Sequence, residues 1–382
     1  MDEVCSYVSL KETKTVKKYN QLNNQLQEII NNKKNAIIKQ NFKQASIYKT
    51  DENKILNEIN ELELNLYNKN TIKKIKKEDL AKVIQQKTKI PIFEILNENE
   101  KIINNIYQNL KQNIIGQDKI INNLMNITKR IKLGFKEDNK CYSMLFCGPS
   151  GVGKTSLAKI FGKNMVGDNI IRLDMTEYIE PHSVSKIIGS PPGYIGYQDN
   201  TNILEEIKNK PYSLLILDEI EKAHPNVINL FLQILDNGKI KDSKGNIVRF
   251  DNVIIIMTSN IGFNDINIGF NKNDSKVITK LKENFSIPFI NRIDNILIFD
   301  ELTQDNILSL IEQKIFKIKR KYLKNIDLKI DKKVYDEILK ECNYKEFGAR
   351  KIDKIIKDKI ETQIIDKIIN QNTKIHIEEL IH

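Results

Sequence analysis

The 382-residue chain has only four cysteines, Cys5, Cys141, Cys147 and Cys342, and no two form a C-x-x-C pair. That spacing argues against a disulfide scaffold or a thiolate metal cluster and leaves ordinary reduced thiols. Four scattered histidines offer no zinc site. No apolar run approaches the roughly 18 residues a membrane helix needs, so no membrane span is expected. Residues 1–9 are neither basic nor followed by a long apolar stretch and do not read as a secretory leader. Arginine is scarce, with only Arg130, Arg172, Arg249, Arg292, Arg320 and Arg350. The net charge of +11 is therefore carried by lysine. With Asn, Lys and Ile abundant everywhere, the charge reads as AT-rich codon drift. A nucleic-acid groove would favour the planar fork of arginine, so nucleic acid is not an expected partner.

Glycine and proline are also missing between residues 10 and 70, a stretch that reads as long polar helices. Tyr48, Ile55, Ile59, Leu62 and Leu66 follow spacings of 7, 4, 3 and 4, a short heptad stripe. Asn41-Phe42 is a break, so 1–70 is expected to form a helical hairpin; a floppy polar tail is the alternative, because asparagine weakens helices. Residues 71–115 read as a connector, with a helix start at Lys77-Glu78-Asp79-Leu80 and a stop at Ile90-Pro91-Ile92. From 116 to 300, β-branched runs at 143–147, 170–173, 213–217, 253–258 and 296–299 alternate with helical stretches. That alternation predicts an α/β fold, a parallel sheet flanked by helices. Residues 301–382 read as a small α-rich lid domain with a β-like end at 374–377.

Gly148-Pro149-Ser150-Gly151-Val152-Gly153-Lys154-Thr155 follows the first apolar run and fits a phosphate-binding loop without a gap. Glycines let backbone N–H groups turn toward phosphates, Lys154 can reach the outer phosphates, and Thr155 can hold Mg²⁺. A second apolar run ends in Asp218-Glu219. Asp218 is placed to hold Mg²⁺ through water and Glu219 to deprotonate the attacking water, although two acids there could simply cap the next helix. Asn260, at the tip of the 253–258 run, could position the same water. Arg292 and Arg350 stand out in so arginine-poor a chain, since a guanidinium spreads its donors over developing phosphate charge.

Several further segments carry a resemblance. They are Ile115-Gly116-Gln117-Asp118, Asp174-Met175-Thr176-Glu177-Tyr178, Gly189-Ser190-Pro191-Pro192-Gly193-Tyr194-Ile195-Gly196-Tyr197, Leu217-Asp218-Glu219-Ile220-Glu221-Lys222-Ala223-His224-Pro225 and Gly348-Ala349-Arg350. In this order, from about residue 72 to the end, the chain resembles the second ATPase module of the Clp family of AAA+ unfoldases, in its ClpC branch. Gln40 to Ala45 resembles the ClpC middle region.

The resemblance implies an ATP-dependent unfoldase that uses ATP and Mg²⁺, works as a homo- or hetero-hexameric ring and threads polypeptides through its pore. It implies that Ile114, Ile115 and Gly116 line the adenine pocket. Arg292 would act in trans on a neighbour's nucleotide, and Arg350 would sense the γ-phosphate in cis. Tyr194 would line the axial pore, and Ile268-Gly269-Phe270 would dock a ClpP-type protease ring. Ile261-Gly262-Phe263 repeats that last pattern seven residues earlier. A protease-independent disaggregase is the alternative within the family, and a DNA-acting AAA+ ATPase the alternative outside it. A non-hydrolysing subunit is set against by the intact set of Lys154, Asp218, Glu219, Asn260, Arg292 and Arg350. Only one phosphate loop is present, and the residues before 116 are too few for another module, so either one ring suffices or a separate chain supplies the missing half. The AT-driven composition together with the resemblance suggests a plastid stroma of apicoplast type, with a bacterial cytoplasm as the alternative.

Overall fold

The computed structural model describes residues 14–38, 42–68, 76–88, 99–133, 135, 140–189, 203–263, 274–322, 327–344, 348–369 and 374–380. They fall into two units, 1–96 and 97–382.

In the first unit the helices Lys14–Ile38 and Phe42–Asn68 pack against each other. Leu22, Leu26, Ile29, Lys33 and Ala36 on one helix, and Ala45, Tyr48, Glu52, Ile55 and Ile59 on the other, recur every three or four residues and are the more buried positions. That spacing keeps one stripe of each helix turned to its partner. The seam is not wholly apolar, for Lys33 pairs with Glu52 within it. A third helix, Lys77–Thr88, starts where expected, and the Lys76 N–H donates to the Asp79 carboxylate at 3.2 Å, half of a capping box.

The second unit is built on five parallel strands: β1 (Tyr142–Cys147), β2 (Ile170–Asp174), β3 (Ser213–Asp218), β6 (Val253–Ser259) and β7 (Asn295–Ile298). Their order is β2-β3-β6-β1-β7, so β1 is flanked by β6 and β7 and β3 by β2 and β6. Both faces are covered, which is why these strands are apolar throughout rather than alternating. Met144, Phe146, Leu214, Ile216, Ile254 and Ile256 fill one face with the helices Asn99–Asn113, Asp118–Lys132 and Lys154–Val166. Leu145, Leu215, Leu217, Ile255 and Met257 fill the other against the helix Pro225–Asn237. That helix begins with His224, whose Nδ1 accepts the Asn226 N–H at 3.1 Å, carries proline at its first position and ends at Gly238 with φ 58°.

The lid comprises the helices Gln304–Tyr322, Lys332–Cys342, Arg350–Ile355 and Thr362–Ile369, with a π-helical turn at Ile356–Glu361. Its Ile307, Ile311, Val334, Ile352 and Ile360 belong to the same apolar cluster as the first sheet face.

The expected strands all form, within a residue or so of their bounds. Phe299 lies just beyond β7, but its N–H still donates to Cys147 O at 2.7 Å. Three short strands were not legible. β4 (Lys239–Lys241) and β5 (Ile247–Arg249) make an antiparallel hairpin, closed by Asp242 accepting the Lys244 and Asn246 N–H groups at 2.9 and 2.8 Å. The expected β-like end at 374–377 forms β9 (Lys374–Ile377), which pairs in parallel with a strand that was not expected, β8 (Asp327–Ile330). Strands this short give no alternation to read.

Candidate nucleotide site

The loop 148–153 leaves the C-terminal end of β1 and opens the helix Lys154–Val166. Gly151 and Gly153 take φ of 76° and 100°, left-handed backbone open to glycine at little cost. Lys154 is 7% exposed, and its ammonium donates to Gly148 O at 2.6 Å, Pro149 O at 2.7 Å and Asn260 Oδ1 at 2.8 Å. Burial lowers its pKa to about 8, with the nearby Glu221 carboxylate opposing that fall. Three oxygens thus surround the cation where phosphate oxygens could replace them, so the loop fits a polyanion.

Asp218 closes β3, in register with Asp174 of β2. Its Oδ1 accepts hydroxyl donors from Thr155 at 2.9 Å and Thr258 at 2.5 Å. Its Oδ2 accepts Arg172 Nε at 3.1 Å and Nη2 at 2.7 Å. Burial pushes the Asp218 pKa up, but the hydrogen bonds from Thr258, Arg172 and Thr155 outweigh it and hold the carboxyl below its ordinary value. Because Thr155 gives its proton to Asp218, its lone pairs are free for a hard cation. Mg²⁺ takes such oxygen donors and keeps several waters, through which Asp218 would reach it.

Glu219 is one of two non-glycine residues with positive φ among the described residues, at φ 55° and ψ 53°. Its N–H donates to Thr258 Oγ at 3.1 Å, and its Oε1 lies 3.6 Å from Arg350 Nη2. A glutamate held in left-handed backbone costs free energy on the order of 1 kcal/mol, and such outliers cluster at functional sites. Asn260 follows β6, and its N–H donates to Glu221 Oε1 at 2.9 Å. The other oxygen of Glu221 is buried without a partner.

The lid closes directly on the loop. Ala349 N–H donates to Gly151 O at 3.0 Å, and a Cβ on Gly348 would stand 2.6 Å from Ser150 O. Lys154, Thr155, Asp218, Glu219, Asn260 and Arg350 line a polar cavity of about 150 Å³. Beside it, sharing Gly151, Gly153, Ser156 and Arg350, is a cavity of about 530 Å³ walled by Ile114, Ile115, Val152, Leu302 and Ile318. Gly116 does not line it; at φ 76° it makes the turn just after, where a Cβ would run into Asn306.

Not every expected residue converges here. Arg292 lines neither cavity and instead pairs with Asp236 of the helix Pro225–Asn237. Tyr194 and Ile268-Gly269-Phe270 lie outside the described residues. The earlier copy, Ile261-Gly262-Phe263, packs its Ile and Phe into the second core and so is no free anchor. Conversely, Thr258, Arg172 and Glu221 received no role from the sequence. Thr258 and Glu221 sit within two residues of Asn260 and Glu219, a usable signal; Arg172 gave none beyond its rarity.

Residues 139–296 match a family model described as AAA domain (Cdc48 subfamily), and residues 302–380 match the C-terminal, D2-small domain of ClpB protein. The ATP-dependent Clp protease ATP-binding subunit ClpC of Staphylococcus aureus (strain USA300) is 34% identical, over 97% of this chain and 48% of its own length. The chaperone protein ClpB of Malacoplasma penetrans (strain HF-2) is 40% identical, over 76% of this chain and 41% of its own. A closed-state cryo-EM reconstruction of Hsp104 with ATPγS and FITC casein superposes with a TM-score of 0.68 and 30% identity, over 79% of this chain and 54% of that one. The chain spans about half the length of the curated relatives it matches. The two family-model matches and the 34% identity to ClpC along 97% of this sequence make the chain a member of the Clp family of AAA+ ATPases, carrying a second ATPase module of ClpC and ClpB type.

Proposed function

We propose that this chain hydrolyses ATP and uses the energy to unfold polypeptides drawn through the pore of a hexameric ring. The observation that carries the reading is the convergence of Lys154, Thr155, Asp218, Glu219, Asn260 and Arg350 on one small polar cavity beside a larger apolar one. The larger space suits a base and ribose, and the smaller one suits phosphates.

Within this reading Gly148, Pro149, Ser150, Gly151, Val152 and Gly153 wrap the phosphates with backbone groups, and Lys154 exchanges its loop carbonyls for phosphate oxygens. Mg²⁺, when bound, neutralises phosphate charge. Thr155 would hold the ion, and Asp218 would reach it through water. Glu219 takes the proton from the attacking water while Asn260 orients it, and Arg350 follows the outer phosphate from the lid. Arg292 serves the neighbouring subunit, in keeping with its place outside both cavities. Tyr194 grips the polypeptide. Ile268-Gly269-Phe270 docks a ClpP-type protease ring, with action as a protease-independent disaggregase as the other outcome. The plastid stroma is the proposed location, with a bacterial cytoplasm as the alternative.

The deciding experiment is Glu219→Gln. It should bind ATP as the parent does and turn it over at least about tenfold more slowly. Unchanged turnover would remove Glu219 from the role of base. Absence of ATP hydrolysis by the parent protein, assembled at high concentration, would remove the ATPase reading itself.

A further inference from the structure

Asp218 is surrounded more completely than a metal-binding carboxylate needs to be. Four protein donors already reach this carboxylate: the hydroxyls of Thr155 and Thr258 and two N–H groups of the Arg172 guanidinium. The two oxygens are treated differently. Oδ1 faces the hydroxyls, one of which opens the helix after the phosphate loop. Oδ2 faces away, into the fork of Arg172.

Arg172 is well placed for this. It lies on β2, an edge strand of the sheet, in register with Ile216, two residues before Asp218. Side chains two apart on a strand share a face, so Arg172 and Asp218 project from the same side, and the long arginine reaches along β3 to its end. Its side chain is 44% exposed, whereas that of Asp218 is 9% exposed. The arginine therefore covers Oδ2 from the solvent side. A planar fork meeting one oxygen with two N–H groups fixes orientation as well as charge, which a lysine ammonium cannot do.

We propose that Arg172 is a positioning residue that blocks Oδ2 of Asp218, keeping this carboxylate out of the inner coordination sphere of Mg²⁺ and in contact with it only through water. This rests on the ATPase reading above. With Oδ2 released, the carboxylate can rotate about its last bond and bind the ion directly. Asp218 would then take the place of a water on the ion, and Thr155 would no longer alone fix where the ion sits. Binding of the ion becomes tighter while turnover becomes slower. Mere neutralisation of a buried charge makes a different prediction, since a lysine would satisfy it.

The test uses the full chain with ATPγS and Mn²⁺ in place of Mg²⁺, comparing Arg172→Lys and Arg172→Gln with the parent. Electron paramagnetic resonance gives Mn²⁺ affinity, and water-proton relaxation gives the number of waters left on the ion. Both variants should bind Mn²⁺ several-fold more tightly, with about one water fewer, and turn over ATP about tenfold to a hundredfold more slowly at a KM within about twofold of the parent. Unaltered hydration and Mn²⁺ affinity in both variants would overturn the proposal, and so would full recovery of all three properties by lysine. If glutamine prevents folding, the lysine variant decides alone, because it keeps the charge. Failure of the parent to bind ATPγS would instead overturn the ATPase reading, and this inference with it.

Discussion

Thr258→Val removes one oxygen and keeps the shape of a side chain only 1% exposed. That oxygen does two things: its proton goes to Asp218 Oδ1 at 2.5 Å, and it accepts the Glu219 N–H at 3.1 Å. Valine therefore deprives a carboxylate of a donor and leaves a part-buried N–H without an acceptor. A hydrogen bond to a charged group contributes about 1.5–3 kcal/mol and an orphaned buried donor costs about 1–3, so a loss of stability on the order of 3 kcal/mol is expected. Function should suffer separately. The N–H of Glu219 is what ties its left-handed turn to β6, and a shift of roughly 1 Å in a catalytic group can cost about a hundredfold in rate. The variant also has a pH signature. The Asp218 carboxyl sits below its ordinary value in the folded protein, so it adds stability above the unfolded pKa that is lost as pH falls through the folded one. Raising the folded pKa shrinks that contribution, and the margin of parent over variant should narrow in acid. Urea unfolding followed by circular dichroism, at neutral and acid pH, measures the first and third effects; phosphate release measures the second. Thr258→Ser, which keeps the hydroxyl, should retain most of both. A valine variant equal to the parent in stability and turnover would refute the bridging role of Thr258.

Lys154→Met should abolish ATP binding, checked by calorimetry. Its stability should also track pH differently: the folded pKa of about 8 lies below the ordinary 10.5, so protonated Lys154 costs stability below pH 8. Between about pH 8 and 10.5 the parent should gain on the order of 3 kcal/mol relative to the variant, and a flat difference across that range would contradict the burial argument. Gly348→Ala, forced to φ 56° and into Ser150 O, should weaken ATP binding by pushing the lid off the loop, read as a raised KM with little change in secondary structure. Arg292→Ala should bind ATP normally yet lose turnover in the assembled ring, and an equimolar mixture with Glu219→Gln should recover some activity from sites with intact neighbours. No recovery in that mixture would argue against action in trans.

Much of this architecture was legible because its cause is local. A strand buried on both faces is apolar at every position, so 213–217 and 253–258 announce themselves, as does a phosphate loop whose glycines are required by backbone conformation. The carboxylates after β3 were readable because an apolar run that stops abruptly in two charges marks the sheet edge where ligands bind. What escaped were pairings made across the sheet. Nothing near Arg172 in the sequence says that it will meet Asp218, and only the parallel register of β2 on β3 brings them together. Thr258 was hidden in the same way, as one hydroxyl in a strand whose neighbour is 40 residues earlier. The hairpin β4–β5 was lost for a different reason, because its shape comes from the Asp242 turn rather than from any period.

The apolar cluster shared by the first sheet face and the lid sets what motion the lid can make. Parting the two would wet the apolar surface they share, at about 25 cal/mol for every Å² exposed. Sliding one over the other leaves that area covered and costs far less. Small sliding displacements are therefore favoured over separation. A ligand held between Ile114 and Ile318 would therefore meet a lid that can shift along the sheet face while staying in contact with it.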